Sequence, residues 1–173
     1  MKYLKHLLLP LCLALPGLAL GADTPVPDKG DTAWLLTSTM LVILMTIPGL
    51  ALFYGGMVRS KNVLNMLMMN FWCILVVPVL WALVGYSLAF GGAFSGTRDS
   101  SWIGNLDKAF LRNLDFATME PAYLIFLATF AAITPALISG AVADRMKFSA
   151  WAVFVPLWSL LVYVPVTYWV FAP

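Results

Sequence analysis

Long uncharged runs alternate with short charged segments along the whole chain. The runs lie between Asp31 and Arg59, between Lys61 and Arg98, from Pro121 to Ala143 and from Phe148 to Pro173. Each is as long as the ~20 apolar residues that a helix needs to cross a bilayer. None shows the apolar–polar alternation of a membrane β-strand. The pattern predicts an all-α polytopic membrane protein with four transmembrane helices here, at about 32–57, 63–90, 121–143 and 148–171. Small residues four apart, such as Ser139 and Ala143, predict close approach of helices.

The first 22 residues have the features of a cleaved signal peptide. Lys2, Lys5 and His6 form a basic start, an apolar core follows, and the small residues Ala19, Gly21 and Ala22 favour cleavage. A first membrane helix is the alternative, although Pro10 and Pro16 interrupt a run shorter than a span. The segment organisation is therefore a signal peptide at 1–22, an outer linker at 23–31 and a membrane domain at 32–173.

The short loops predict the orientation. Residues 58–62 and 143–148 carry Arg59, Lys61, Arg145 and Lys147 against one acid, Asp144. Basic short loops stay in the cytoplasm. The sequence therefore predicts a multi-pass protein of the cell's inner (plasma) membrane with its N-terminus outside, surrounded by the lipid bilayer.

Composition narrows the function. Hydrophobic residues make up 62% of the chain and charged residues 10%, too little charge for a soluble domain of 173 residues. No basic patch suggests nucleic acid, and the single histidine, His6, lies in the leader. The motifs of hydrolases, zinc proteases and phosphate-binding loops do not occur. We therefore expect no enzyme activity, metal or cofactor. The four runs also lack the intramembrane charges of proton-coupled carriers, which favours a path for a small neutral molecule or close helix packing.

Three aromatic residues share one face of the third predicted helix. Tyr123, Phe126 and Phe130 are spaced at i, i+3 and i+7. One interpretation is ordinary packing against helices or lipid. The other is a narrow route whose rings attract a cation at its mouth and force it to shed water, which favours loss of a proton from an amine.

Several motifs resemble those of bacterial ammonium transporters, the Amt/Mep/Rh family. They are MTIPG, ALFYGG and R-x-KN within residues 39–71, GYSLAFG at 85–91, FAAIT at 130–134, GAVADRMKFSA at 140–150 and YVPVTYWVF at 163–171. The resemblance runs from about residue 23 to the last residue. It implies an eleven-helix fold, a homotrimer when full length, and one hydrophobic pore in each subunit.

The resemblance also assigns roles to three residues. Phe130 matches the upper of two stacked phenylalanines, and Phe126 matches the vestibule aromatic residue one turn before it. Phe171 falls where many members carry a tryptophan that caps the recruitment site, which predicts weaker cation–π attraction because tryptophan is the better ring. The resemblance implies that ammonium, or its analogue methylammonium, is recruited at these rings and passes as ammonia.

The resemblance leaves the extent of the chain, its exact function and its partner open. The family's remaining helices, including its channel histidines, would lie beyond Pro173, so we expect a truncated fragment of a longer transporter. An ammonium-sensing membrane domain of a signalling protein, or an unrelated four-helix packing protein, would share many of these features. The family also suggests a P-II nitrogen-regulatory protein as a cytoplasmic partner.

Overall fold

The structure is a computed structural model that describes residues 28–92 and 102–171. Four long helices dominate these residues: α1 (Lys29–Met57), α2 (Ser60–Phe90), α3 (Glu120–Ile138) and α4 (Phe148–Phe171). Each is long and apolar enough to cross a membrane. The prediction of an all-α fold with four membrane helices is therefore confirmed for this part of the chain. The predicted signal peptide, residues 1–22, lies outside the described residues.

Helix α1 begins earlier than the predicted residue 32. Asp28 caps it by accepting hydrogen bonds from the backbone N–H groups of Gly30 (2.6 Å) and Asp31 (3.1 Å). An aspartate at this position satisfies N–H groups that have no partner within the helix. The last residues of the segment predicted as an outer linker, 29–31, are thus the first turn of a helix.

Three of the helices are distorted close to a proline. Helix α1 is kinked at Ile47 (φ −117°, ψ 111°), directly before Pro48, whereas α2 and α4 contain widened π-type turns at Trp81–Gly85 and Ser159–Tyr163. Proline removes one helical hydrogen bond, and the carbonyl four residues earlier needs another donor. At Pro156 that carbonyl belongs to Ala152, and the indole N–H of Trp72 donates to it at 3.3 Å. The proline that distorts α4 is therefore compensated by a side chain from α2.

The packed core lies where α2 meets α3 and α4. Ala131, Ala132 and Ala136 of α3 are almost fully buried, and their small side chains let the helices come close. Trp151 of α4 is fully buried, and its indole N–H donates to the Met69 carbonyl of α2 at 3.0 Å. Dense packing and interhelical hydrogen bonds hold membrane helices together where lipid offers no hydrophobic driving force.

Helix α3 ends at Ile138, five residues before the predicted end at 143. The chain continues through turns up to Met146, with Asp144 in the left-handed region at φ 62°. Ser139 and Ala143 therefore do not form a pair on one helix face, as their spacing had suggested. The close approach is made by Gly140, because a β-carbon there would lie 2.7 Å from the Tyr54 ring of α1. The Tyr54 hydroxyl donates to the Leu137 carbonyl at 3.1 Å.

Candidate functional site

Phe126 and Phe130, here called the exposed ring pair, contact each other on α3. Their ring centroids are 4.9 Å apart and their planes meet at 66°, an edge-to-face arrangement. Phe126 is half-buried, and Phe130 keeps 36% of its surface accessible. The pair thus offers aromatic surface within a helix that otherwise packs through alanines.

The sequence of α3 explains why the rings point away from the core. Ala128, Ala131, Ala132 and Ala136 are buried, and α3 packs mainly against α2 and α1. Phe126 and Phe130 are one helical turn apart and lie on a different face of α3. The backbone carbonyls of both phenylalanines accept side-chain hydrogen bonds, from Thr129 (2.6 Å) and Thr134 (2.7 Å). The two threonines therefore satisfy their hydroxyl groups within the helix that carries the rings.

Phe171 lies apart from the exposed ring pair. It is 63% exposed at the end of α4, and no ring contact joins it to Phe126 or Phe130 among the described residues. It lines a cavity of about 890 Å³ at the predicted outer end of the helices, which we call the outer cavity. The other residues that line this cavity are Leu35, Phe90, Gly92, Asp107, Lys108, Asn113, Asp115, Thr118, Met119, Glu120 and Tyr123.

A second aromatic group, the buried ring cluster, consists of Trp81, Tyr86, Phe90 and Tyr123. Trp81, Tyr86 and Phe90 are at most 2% exposed, and Phe90 meets Tyr123 edge to face at 6.0 Å. Tyr123 therefore packs toward α2. The spacing of Tyr123, Phe126 and Phe130 suggested one aromatic face, but the structure divides these rings between the cluster and the pair.

Glu120, the first residue of α3, links α3 to α2 and to the irregular connection that precedes α3. Its carboxylate accepts hydrogen bonds from the Tyr86 hydroxyl (3.0 Å) and the Asp115 backbone N–H (3.1 Å), and it forms an ion pair with Lys108. The Glu120 and Lys108 side chains are 9% and 15% exposed. An ion pair with this little solvent access is screened less than a surface pair.

The described part of the outer connection, residues 102–119, is also tied to the helices through Ser87 and Trp169. The Ser87 hydroxyl of α2 donates to the Asn105 carbonyl (2.8 Å) and accepts from the Lys108 backbone N–H (3.0 Å). The Trp169 indole N–H of α4 donates to the Trp102 carbonyl at 2.8 Å. Trp169 is two residues from Phe171, so the connection also anchors the end of α4 that borders the outer cavity.

Sequence reasoning did not single out Glu120, Lys108 or Tyr86. Lys108 and Glu120 are twelve positions apart across an irregular connection, and no periodic pattern relates them. The available signal was weaker: Glu120 is an acid placed directly before Pro121 at the start of an apolar run. Acids and proline favour the first turn of a helix, but that rule gives no partner for the charge.

Comparison with known proteins identifies the family. A model of the Ammonium Transporter Family matches residues 33–173. An ammonium transporter of Mycobacterium tuberculosis is 52% identical over 164 residues, covering 85% of this chain and 34% of the relative. The chain belongs to the Ammonium Transporter Family.

Further family relatives agree in sequence and in structure. A putative ammonium transporter of Methanothermobacter thermautotrophicus is 51% identical over 149 residues, which are 83% of this chain and 36% of the relative. The crystal structure of Candida albicans Mep2 superposes with a TM-score of 0.72 at 28% identity, covering 85% of this chain and 32% of Mep2. This member of the Ammonium Transporter Family is thus a multi-pass membrane protein, and it spans about a third of the length of the curated relatives it matches.

Proposed function

We propose that the chain forms the entrance part of an ammonium transporter. The observation that carries this proposal is the exposed ring pair on a membrane helix of a chain that belongs to the Ammonium Transporter Family. Ammonium is recruited at Phe126, Phe130 and Phe171 through cation–π attraction, which aromatic faces exert on cations within about 6 Å. Below the rings the path is apolar, and desolvation favours the neutral form, so the molecule passes as ammonia.

The site has two parts in this proposal. Phe171 and the acids of the outer cavity meet the cation first, and the exposed ring pair lies deeper along the route. Because phenylalanine replaces the tryptophan that many members carry at position 171, we expect weaker recruitment there.

The proposal also covers the membrane location, the oligomeric state and the partner of the protein. It sits in the inner (plasma) membrane with its N-terminus outside, since Arg59, Lys61, Arg145 and Lys147 lie in the short turns on the opposite side. The full-length protein acts as a homotrimer, and a P-II nitrogen-regulatory protein is its possible cytoplasmic partner. The ammonium-sensing alternative receives no support from the relatives described above, which are named as ammonium transporters.

Methylammonium uptake tests the proposal. The full gene product that contains these residues is expressed in a cell that lacks ammonium transporters, beside Phe130→Ala and the control Leu75→Ala, whose exposed side chain lies on α2. We expect uptake by the full gene product, altered uptake for Phe130→Ala, and unchanged uptake for the control. No uptake despite normal abundance in the membrane would refute the proposed function. Unchanged uptake by Phe130→Ala would mean that Phe130 only packs against its neighbours and does not contact the substrate.

A further inference from the structure

We propose that Glu120 neutralises the side-chain ammonium of Lys108 at the wall of the outer cavity, so that this fixed cation does not compete with the transported cation. The inference rests on the proposed function, because it assumes that a cation is recruited at the cavity. It assigns to Glu120 and Lys108 a role in setting the apparent affinity for substrate.

Lys108 carries the same kind of group that the proposed site recruits. Its terminal NH₃⁺ is a primary ammonium, and the residue lines the same cavity as Tyr123 and Phe171. Aromatic faces attract such a group as they attract ammonium itself. A tethered group also acts at a high effective concentration, so a lysine directed toward the rings would be a strong internal competitor.

The surroundings of Glu120 hold its carboxylate where it can restrain Lys108. The Tyr86 hydroxyl and the Asp115 backbone N–H both donate to the carboxylate, in addition to the ion pair with Lys108. Tyr86 is 1% exposed and fixed among the rings of the buried ring cluster. A carboxylate held by several donors keeps its position and its charge-assisted hydrogen bonds.

The charges around the outer cavity predict how breaking the ion pair between Lys108 and Glu120 would change substrate binding. Among the described residues, the charged side chains that line it are Asp107, Asp115 and Glu120, which are acidic, and Lys108, which is basic. When Glu120 offsets Lys108, Asp107 and Asp115 leave this part of the lining net negative, which favours entry of a cation. Glu120→Gln makes the cavity more positive by one charge, and adding Lys108→Met restores the original balance. A role for Glu120 that does not depend on the charge of Lys108 predicts no such restoration.

The test measures methylammonium uptake over a range of concentrations for the full gene product and for Glu120→Gln, Lys108→Met and the double variant. For Glu120→Gln we expect the apparent KM to rise about fivefold or more with little change in Vmax, as expected for a nearby, weakly screened like charge. The double variant should return to within about twofold of the wild-type KM. Asp31→Asn removes the same charge from the exposed first turn of α1, outside the cavity, and should leave the KM unchanged.

The outcomes separate this inference from the proposed function. Wild-type uptake with an unchanged KM for Glu120→Gln overturns the inference alone, as does a double variant that stays as impaired as Glu120→Gln. Absence of wild-type uptake overturns the proposed function. If Glu120→Gln does not reach the membrane, Lys108→Met decides by itself: its KM should equal or fall below that of the wild type, and a severalfold rise would overturn the inference.

Discussion

The two aromatic groups of this protein differ in what surrounds them. The buried ring cluster packs Trp81, Tyr86 and Phe90 against one another and against α4 through Tyr163. The exposed ring pair, Phe126 and Phe130, sits on α3 with accessible surface beside a row of buried alanines. Packing accounts fully for the first group. The described residues leave part of the second group accessible, and together with the family resemblance this is why we propose that the pair lines the substrate path and that the cluster belongs to the scaffold.

The largest effect should come from removing a ring of the buried ring cluster. Trp81→Ala should destabilise the protein by about 3–5 kcal/mol, the usual cost of truncating a large buried aromatic side chain. We expect a lower melting temperature of the purified protein in detergent and lower abundance in the membrane. Normal abundance and an unchanged melting temperature would mean that the cluster does not support the fold.

A smaller effect should follow from Tyr86→Phe, which keeps the ring and removes the hydroxyl that donates to Glu120. Hydrogen bonds to charged groups contribute about 1.5–3 kcal/mol. Glu120 keeps Lys108 and the Asp115 N–H, so we expect a loss at the lower end of that range. Hydrogen exchange should increase in residues 102–119 more than in α4, and equal changes in both segments would contradict this assignment.

The exposed ring pair should tolerate substitution best with respect to stability. Phe126→Leu and Phe130→Leu should each change the free energy of unfolding by less than about 1 kcal/mol, because the replacement keeps most of the apolar surface at a partly exposed position. Thermal unfolding in detergent measures this, with Phe90→Leu as the buried counterpart on α2. A loss for Phe130→Leu as large as that for Phe90→Leu would place the exposed ring pair in the scaffold.

The helices could be predicted from the sequence because hydrophobicity and length decide which segments cross a membrane. The end of α3 could not, since residues 139–143 carry no charge and the close approach of Gly140 to Tyr54 of α1 is visible only in the structure. Helical spacing placed Phe126 and Phe130 together but grouped Tyr123 with them, because a period alone does not say which neighbour a ring meets. The ion pair between Lys108 and Glu120 depends on how an irregular connection folds. Helix and strand periodicity do not predict contacts across such a segment.

Cysteine labelling tests most directly whether the exposed ring pair faces the substrate path. In the full gene product with its native cysteines, Cys12 and Cys73 among them, replaced by alanine, Phe130→Cys and the control Leu75→Cys are treated from outside with a membrane-impermeant thiol reagent. We predict that Phe130→Cys reacts, that methylammonium slows the reaction, and that Leu75→Cys remains unlabelled in the lipid. A cysteine at position 130 that reacts no more than one at position 75, in protein that still takes up methylammonium, would contradict the account.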